Sequence, residues 1–154
     1  MKLKIASAIA AASLATVAHA ESHMGSGDAT AGEREFNKCK ACHMIVADDG
    51  TEIVKGGRTG PNLYGVIGRQ AGSVEDFRGY GEDLVAAGEA GLVWDEENLI
   101  PYLEDPRSFL QTYLDDNSAR SKMSFRLRRG GEDVYAYLVS VGPEMDAEEG
   151  EGDS

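Results

Sequence analysis

Cys39-Lys40-Ala41-Cys42-His43 is the stretch on which the reading of this chain turns. Two thiols three positions apart, followed at once by an imidazole, form Cys-x-x-Cys-His, the attachment signature of a c-type haem. The chemistry needs each residue type where it stands. The thiols add across the porphyrin vinyl groups as thioethers, and the histidine is thereby held beneath the iron as proximal ligand. Two other readings use the same residues. A zinc site needs two further ligands, but the chain has no third cysteine, and His23 lies in a small, polar N-terminal stretch. A thiol–disulfide exchanger places such a pair at a helix start in an α/β fold, and the strand pattern for that is missing. A structural disulfide closing so short a loop would stabilise little.

The first twenty residues point to export. Lys2 and Lys4 precede an apolar or small-residue run from Ile5 to Val17, and Ala18-His19-Ala20 supplies a small-x-small cleavage site. A membrane anchor is the rival, but the run is too short for roughly 30 Å of hydrocarbon. A periplasmic mature chain starting near Glu21 is expected. The leader carries two positive and no negative charges, so the net charge of −12 becomes −14. Residues 1–20 are thus read as a removed signal peptide and 21–28 as a flexible N-terminus. A folded domain over 29–143 follows, then a disordered acidic tail over 144–154. That tail holds Glu144, Asp146, Glu148, Glu149, Glu151 and Asp153 without a basic residue, and its expected role is solubility.

Inside the domain the pattern is mostly helical. Asp28 to Lys38 opens on a cap-like Asp28 or Thr30 and places Ala31 and Phe36 on one face. A short helix is expected around Glu82 to Ala87. Asp95 caps Glu96 to Leu103, which Pro106 ends, and Ser108 to Leu114 is another short helix. Glu132 to Val141 closes the chain, with Val134, Tyr137, Leu138 and Val141 at helical spacing. Residues 40–72 are rich in glycine and turn residues and read as an extended loop. So long a loop normally argues against an assignment. A flat haem answers the objection by giving loops an apolar surface to wrap.

The second axial ligand decides what the iron does, and histidine or methionine completes six-coordinate cytochrome iron. His23, Met24 and Met145 lie in polar termini, and Met44 adjoins the proximal histidine and cannot reach the opposite haem face. Met123 remains, in Ser121-Lys122-Met123-Ser124-Phe125; its bland alternative is a core methionine. A thioether opposite histidine raises the potential and fills the site where oxygen or peroxide would bind. That makes a relay, not a catalyst. A peroxidase or gas-binding protein needs the position open.

With these motifs placed, the chain resembles class I cytochrome c, particularly the soluble bacterial cytochrome c2 and cytochrome c-550 type. The resemblance covers Ala31 to Val141. It rests on Gly32-x-x-x-Phe36, the haem motif, Thr59-Gly60-Pro61-Asn62-Leu63-Tyr64-Gly65, Trp94, Tyr102-Leu103-Glu104-Asp105-Pro106 and Lys122-Met123-Ser124-Phe125. It implies a mostly α fold with crossed N- and C-terminal helices and loops wrapped around one covalent haem c. Gly32 and Phe36 would meet Tyr137 at the crossing. The Pro61 carbonyl would accept from the second ring nitrogen of His43. Arg69, Tyr80 and Trp94 would donate toward a haem propionate, and Tyr102 would lie near the Met123 sulfur.

Charge placement adds a partner expectation. Ten of the thirteen basic residues that remain after the leader fall in two segments, Arg34–Arg58 and Arg120–Arg129, flanking the two expected ligands. A positive face that includes Lys38, Lys40, Lys122, Arg126 and Arg128 would steer the haem edge toward acidic docking surfaces. The bland alternative is a solvated mixed surface. The resemblance implies a membrane quinol–cytochrome c oxidoreductase as donor. It implies a terminal oxidase, photosynthetic reaction centre or periplasmic reductase as acceptor. A monomer is expected, and so acidic a chain excludes nucleic acid as partner.

Overall fold

Two helices at opposite ends of the domain fix the architecture. The computed structural model describes residues 26–144; the leader and the tail beyond Glu144 lie outside them. Helix α1 (Ala29–Phe36) starts where Asp28, in extended conformation, accepts from the Thr30 amide at 2.7 Å and the Ala31 amide at 3.2 Å. Such a cap satisfies backbone donors that the first turn leaves without partners. Gly32 and Phe36, one turn apart, are its buried face. Helix α5 (Gly131–Val141) buries Val134, Tyr135, Ala136, Tyr137 and Leu138. The two cross at Gly32, where a Cβ would stand 1.9 Å from the Asp133 carbonyl oxygen and 2.8 Å from Tyr137 Cβ. Only glycine allows that approach. Beside it the rings of Phe36 and Tyr137 lie 5.5 Å apart, so the expected crossing is present.

Three further helices pack alongside. Helix α2 (Glu82–Glu89) has no side-chain cap, while α3 (Glu96–Glu104) is capped by Asp95 through the Asn98 amide at 2.8 Å. Helix α4 (Pro106–Tyr113) begins at the residue expected to end its predecessor. Pro106 does both, because Asp105 closes α3 and also caps α4 by accepting from Ser108 N at 3.1 Å. A proline in the first helical turn forgoes no bond, since that N–H has no helical partner.

Within 40–72, the loop contains a short antiparallel hairpin that sequence reading misses, β1 (Ile45–Val46) paired with β2 (Glu52–Val54). At the N-terminal edge of the described residues, side chains reach back into the domain. Ser26 donates from N and Oγ to Glu96 Oε1 at 3.0 and 2.6 Å, and Asp28 N donates to Asp133 Oδ1 at 2.9 Å. Ser26 thereby bonds to α3 and Asp28 to α5. Phe36, Ile45, Leu92, Leu110, Val134 and Pro106 form the fully buried centre. Around it Leu63, Tyr64, Ile67, Leu84, Phe109 and Met123 are only half-buried. No helix among the described residues is long and apolar enough to cross a membrane.

Candidate haem site

The motif forms a turn continuous with the end of α1. Cys39 N donates to Phe36 O at 2.8 Å, and the Cys39 carbonyl then accepts from Cys42 N at 3.1 Å and His43 N at 2.9 Å. Both thiols are free. Burial, aided by Glu35 and opposed by Lys38, pushes the Cys39 thiol up to about 11. A thioether in that place carries no charge to desolvate, so this buried position suits the neutral form better than a thiolate.

His43 faces the loop that follows the hairpin. Its Nδ1 lies 2.8 Å from the Pro61 carbonyl oxygen. A carbonyl can only accept, so Nδ1 carries the proton and Nε2 keeps its lone pair. Burial holds the imidazole below its ordinary range despite the opposing Pro61 bond, which favours the neutral, ligating form. The loop reaches so close because residue 60 is glycine: a Cβ there would come within 2.3 Å of His43 Cε1. Gly57 N to Lys40 O at 2.9 Å and Gly60 N to Cys42 O at 2.8 Å bind this loop to the motif. Asn62, to which sequence reading gives no role, locks the arrangement. Its side chain donates to Val46 O at 2.7 Å and accepts from Val46 N at 3.0 Å and Tyr64 N at 3.1 Å. The available signal was an asparagine after Gly-Pro, a residue that bonds backbone two positions on.

Three of the expected polar residues come together on another side. Trp94 N donates to Arg69 O at 3.0 Å, and Trp94 O accepts from Gly68 N at 2.8 Å, so their strands run side by side. The half-buried Arg69 guanidinium donates to the carbonyls of Asn62 and Tyr64 at 3.3 and 3.2 Å. Burial lowers its pKa, with Tyr80 and Asp48 acting in the opposite sense. Tyr80 is raised by burial, against a hydrogen bond to Val74 backbone and the charge of Arg69. No carboxylate lies within ion-pair distance of Arg69 among the described residues. A half-buried cation with only carbonyl partners fits a propionate, whose charge needs such a neighbour.

Met123 is half-buried against the core. Tyr102, 6% exposed, packs on Trp94 with ring centroids 4.7 Å apart and on Phe109 at 5.8 Å. Burial raises its pKa, with Ser121 acting in the opposite sense. The half-buried apolar residues, the neutral imidazole and an Arg69 with no ion-paired carboxylate among the described residues together fit a haem.

Of the expected docking residues, Lys38, Arg126 and Arg128 line one cleft of about 780 Å³ with Arg34 and Arg129, opposed by Glu35 and Asp133. Lys38 pairs with Glu35, and Arg126 with Asp105 at 3.1 Å. Lys40 lines a neighbouring cleft with Arg34 and Lys55. Lys122 stands apart from both, its stem beside Gly81.

No protein-family model matches the chain. Curated relatives do. The chain is 70% identical over 115 residues to cytochrome c-551 of Roseobacter denitrificans, covering 75% of this chain and 81% of that one. It is 53% identical over 142 residues to cytochrome c2 of Rhodobacter capsulatus, covering 92% and 98%. Among solved structures, ferric cytochrome c-550 of Paracoccus versutus superposes with a TM-score of 0.73 at 51% identity, covering 76% of this chain and 99% of that one. By motif, fold and identity, the chain belongs to the cytochrome c2 and cytochrome c-550 family: an electron carrier and not an enzyme, with one covalently attached haem c.

Proposed function

We propose that this chain is a monomeric periplasmic carrier whose haem is attached through Cys39 and Cys42 and ligated by His43 and Met123. The observation that carries the reading is the His43 ring. Its Nδ1 is committed to Pro61 O at 2.8 Å, which reserves Nε2 for the iron. When bound, the haem supplies one reversible electron as its iron alternates between ferrous and ferric. The protein does the rest. Met123 would hold the iron through a neutral sulfur, which would favour the reduced state and bar small ligands. Arg69, Tyr80 and Trp94 donate toward a propionate, and Tyr102 tunes the donor strength of Met123.

The leader 1–20 directs export and is removed, leaving 21–28, the domain 29–143 and the acidic tail 144–154. Electrons come from a membrane quinol–cytochrome c oxidoreductase. They pass to a terminal oxidase, a photosynthetic reaction centre or a periplasmic reductase. Mass spectrometry of protein from the periplasm tests the core of this reading. The expected mass is that of a chain starting near Glu21 plus one haem, with no free thiol. The bare chain with two titratable thiols would overturn it.

Docking runs through Lys38, Lys40, Lys122, Arg126 and Arg128. The cleft in which Lys38, Arg126 and Arg128 meet two more arginines supports this, five cations against two acids. Such a face speeds encounter with acidic partners by long-range attraction, which salt screens. Transfer from a purified quinol-oxidising complex is therefore expected to slow about tenfold or more between low and physiological ionic strength. A rate indifferent to salt would remove the docking face and leave the haem site untouched.

A further inference from the structure

The segment that delivers Met123 has no helix or strand of its own, yet both its ends are pinned. On the far side Leu127, 3% exposed, donates its amide to Leu103 O at 2.7 Å. On the near side, side chains occupy the backbone in succession. Gln111 Nε2 on α4 donates to Asn117 O at 2.7 Å and to Ala119 O at 3.3 Å. The Arg120 guanidinium curls back to Ser118 O at 2.8 Å. The Arg120 amide is taken by Asp83 Oδ2 at 2.7 Å, across 37 residues of sequence. Ala119, 1% exposed, sits between these bonds in the core.

Asp83 has an ordinary explanation, as an acidic residue in the first turn of α2. The geometry says more. That helix has no side-chain cap, and the carboxylate is turned away from its own backbone to a donor three residues before Met123. A carboxylate on an amide is a charge-assisted bond and stronger than a neutral one. We infer that Asp83, backed by Gln111, is a positioning residue that holds the Met123 segment closed over the iron.

The inference rests on Met123 being the ligand and adds what keeps it there. A thioether is an uncharged, weakly basic donor, so an external base competes with it easily once the segment is free to move. Pinning Arg120 removes conformational freedom that the open segment would otherwise gain. Loss of the Asp83 bond shifts the balance toward the open form by about tenfold, the typical effect of a hydrogen bond to a charged group.

Imidazole binding to the ferric holoprotein, followed by the haem spectrum, reads that balance. Asp83→Ala is expected to bind imidazole about tenfold more tightly than the parent. Asp83→Asn keeps an acceptor oxygen and is expected to fall between the two. Asp28→Ala removes the cap of α1, far from Met123 in sequence; it should lower the denaturant midpoint and leave imidazole affinity alone. Unchanged affinity in both Asp83 variants, or an equal gain in Asp28→Ala, would overturn the inference. Met123→Ala keeps the two readings apart. If it binds imidazole no better than the parent, Met123 ligation fails, and the inference with it. If it binds far better while the Asp83 variants do not, ligation stands and only the role of Asp83 is lost.

Discussion

Met123→Ala is expected to bind carbon monoxide rapidly and fully when reduced at neutral pH, where the parent protein resists it. The variant should also lose its sulfur-to-iron absorption. Its potential should fall by a few tenths of a volt, within the roughly 0.8 V that axial ligands span across haem proteins. The reasoning is by elimination followed by geometry. Met44 has its carbonyl fixed by Leu63 N at 3.0 Å, directly after the proximal histidine. His23, Met24 and Met145 fall in small, polar terminal stretches of the sequence. Met123 stands half-buried against the core that includes Tyr102 and Trp94. Removing a sulfur takes away the soft donor that favours ferrous iron and opens a coordination position in one step. Loss of activity alone would be ambiguous, since a disturbed docking face slows transfer too. Carbon monoxide binding at the parent rate, with potential and sulfur absorption intact, would show Met123 to be a core side chain.

The features legible in the sequence share one property: their cause lies within a few residues. Cys39, Cys42 and His43 are contiguous chemistry, and the caps Asp28 and Asp95 act within one helical turn. The amphipathic face of α5 is read from spacing alone. What escaped lies in pairs brought together by folding. The hairpin of Ile45–Val46 and Glu52–Val54 is too short to show alternation. Pro106 reads only as a stop, with the next helix expected from Ser108, because only the doubled role of Asp105 reveals that this helix starts at Pro106 itself. The bond from Arg120 N to Asp83 joins two ordinary surface residue types with no periodicity to betray it. The haem motif could thus be recognised in isolation, whereas the contacts that orient Met123 could not.

Gly32→Ala is the substitution expected to cost the fold most for its size. The added methyl would stand 1.9 Å from Asp133 O and 2.5 Å from its carbonyl carbon, both backbone atoms inside α5. No rotamer change relieves that contact, so α1 and α5 must separate. Separation would loosen Phe36 from Tyr137 and strain the bond from Asp28 N to Asp133 Oδ1. Overpacking of a tight interior usually costs 1–3 kcal/mol; against fixed backbone, about 3 kcal/mol or more is expected. Gly131→Ala supplies the contrast at the start of the partner helix. Its methyl would meet Ile100 Cγ2 at 3.1 Å, the end of a side chain that can move. Exchanging glycine for alanine in a helix also recovers up to about 1 kcal/mol of backbone entropy. Gly131→Ala should therefore lie within about 1 kcal/mol of the parent. Denaturant unfolding of the two holoproteins reads the difference directly. Equal midpoints would mean that the crossing yields to a methyl group, and that the close approach at Gly32 is not what holds the two termini of the domain together.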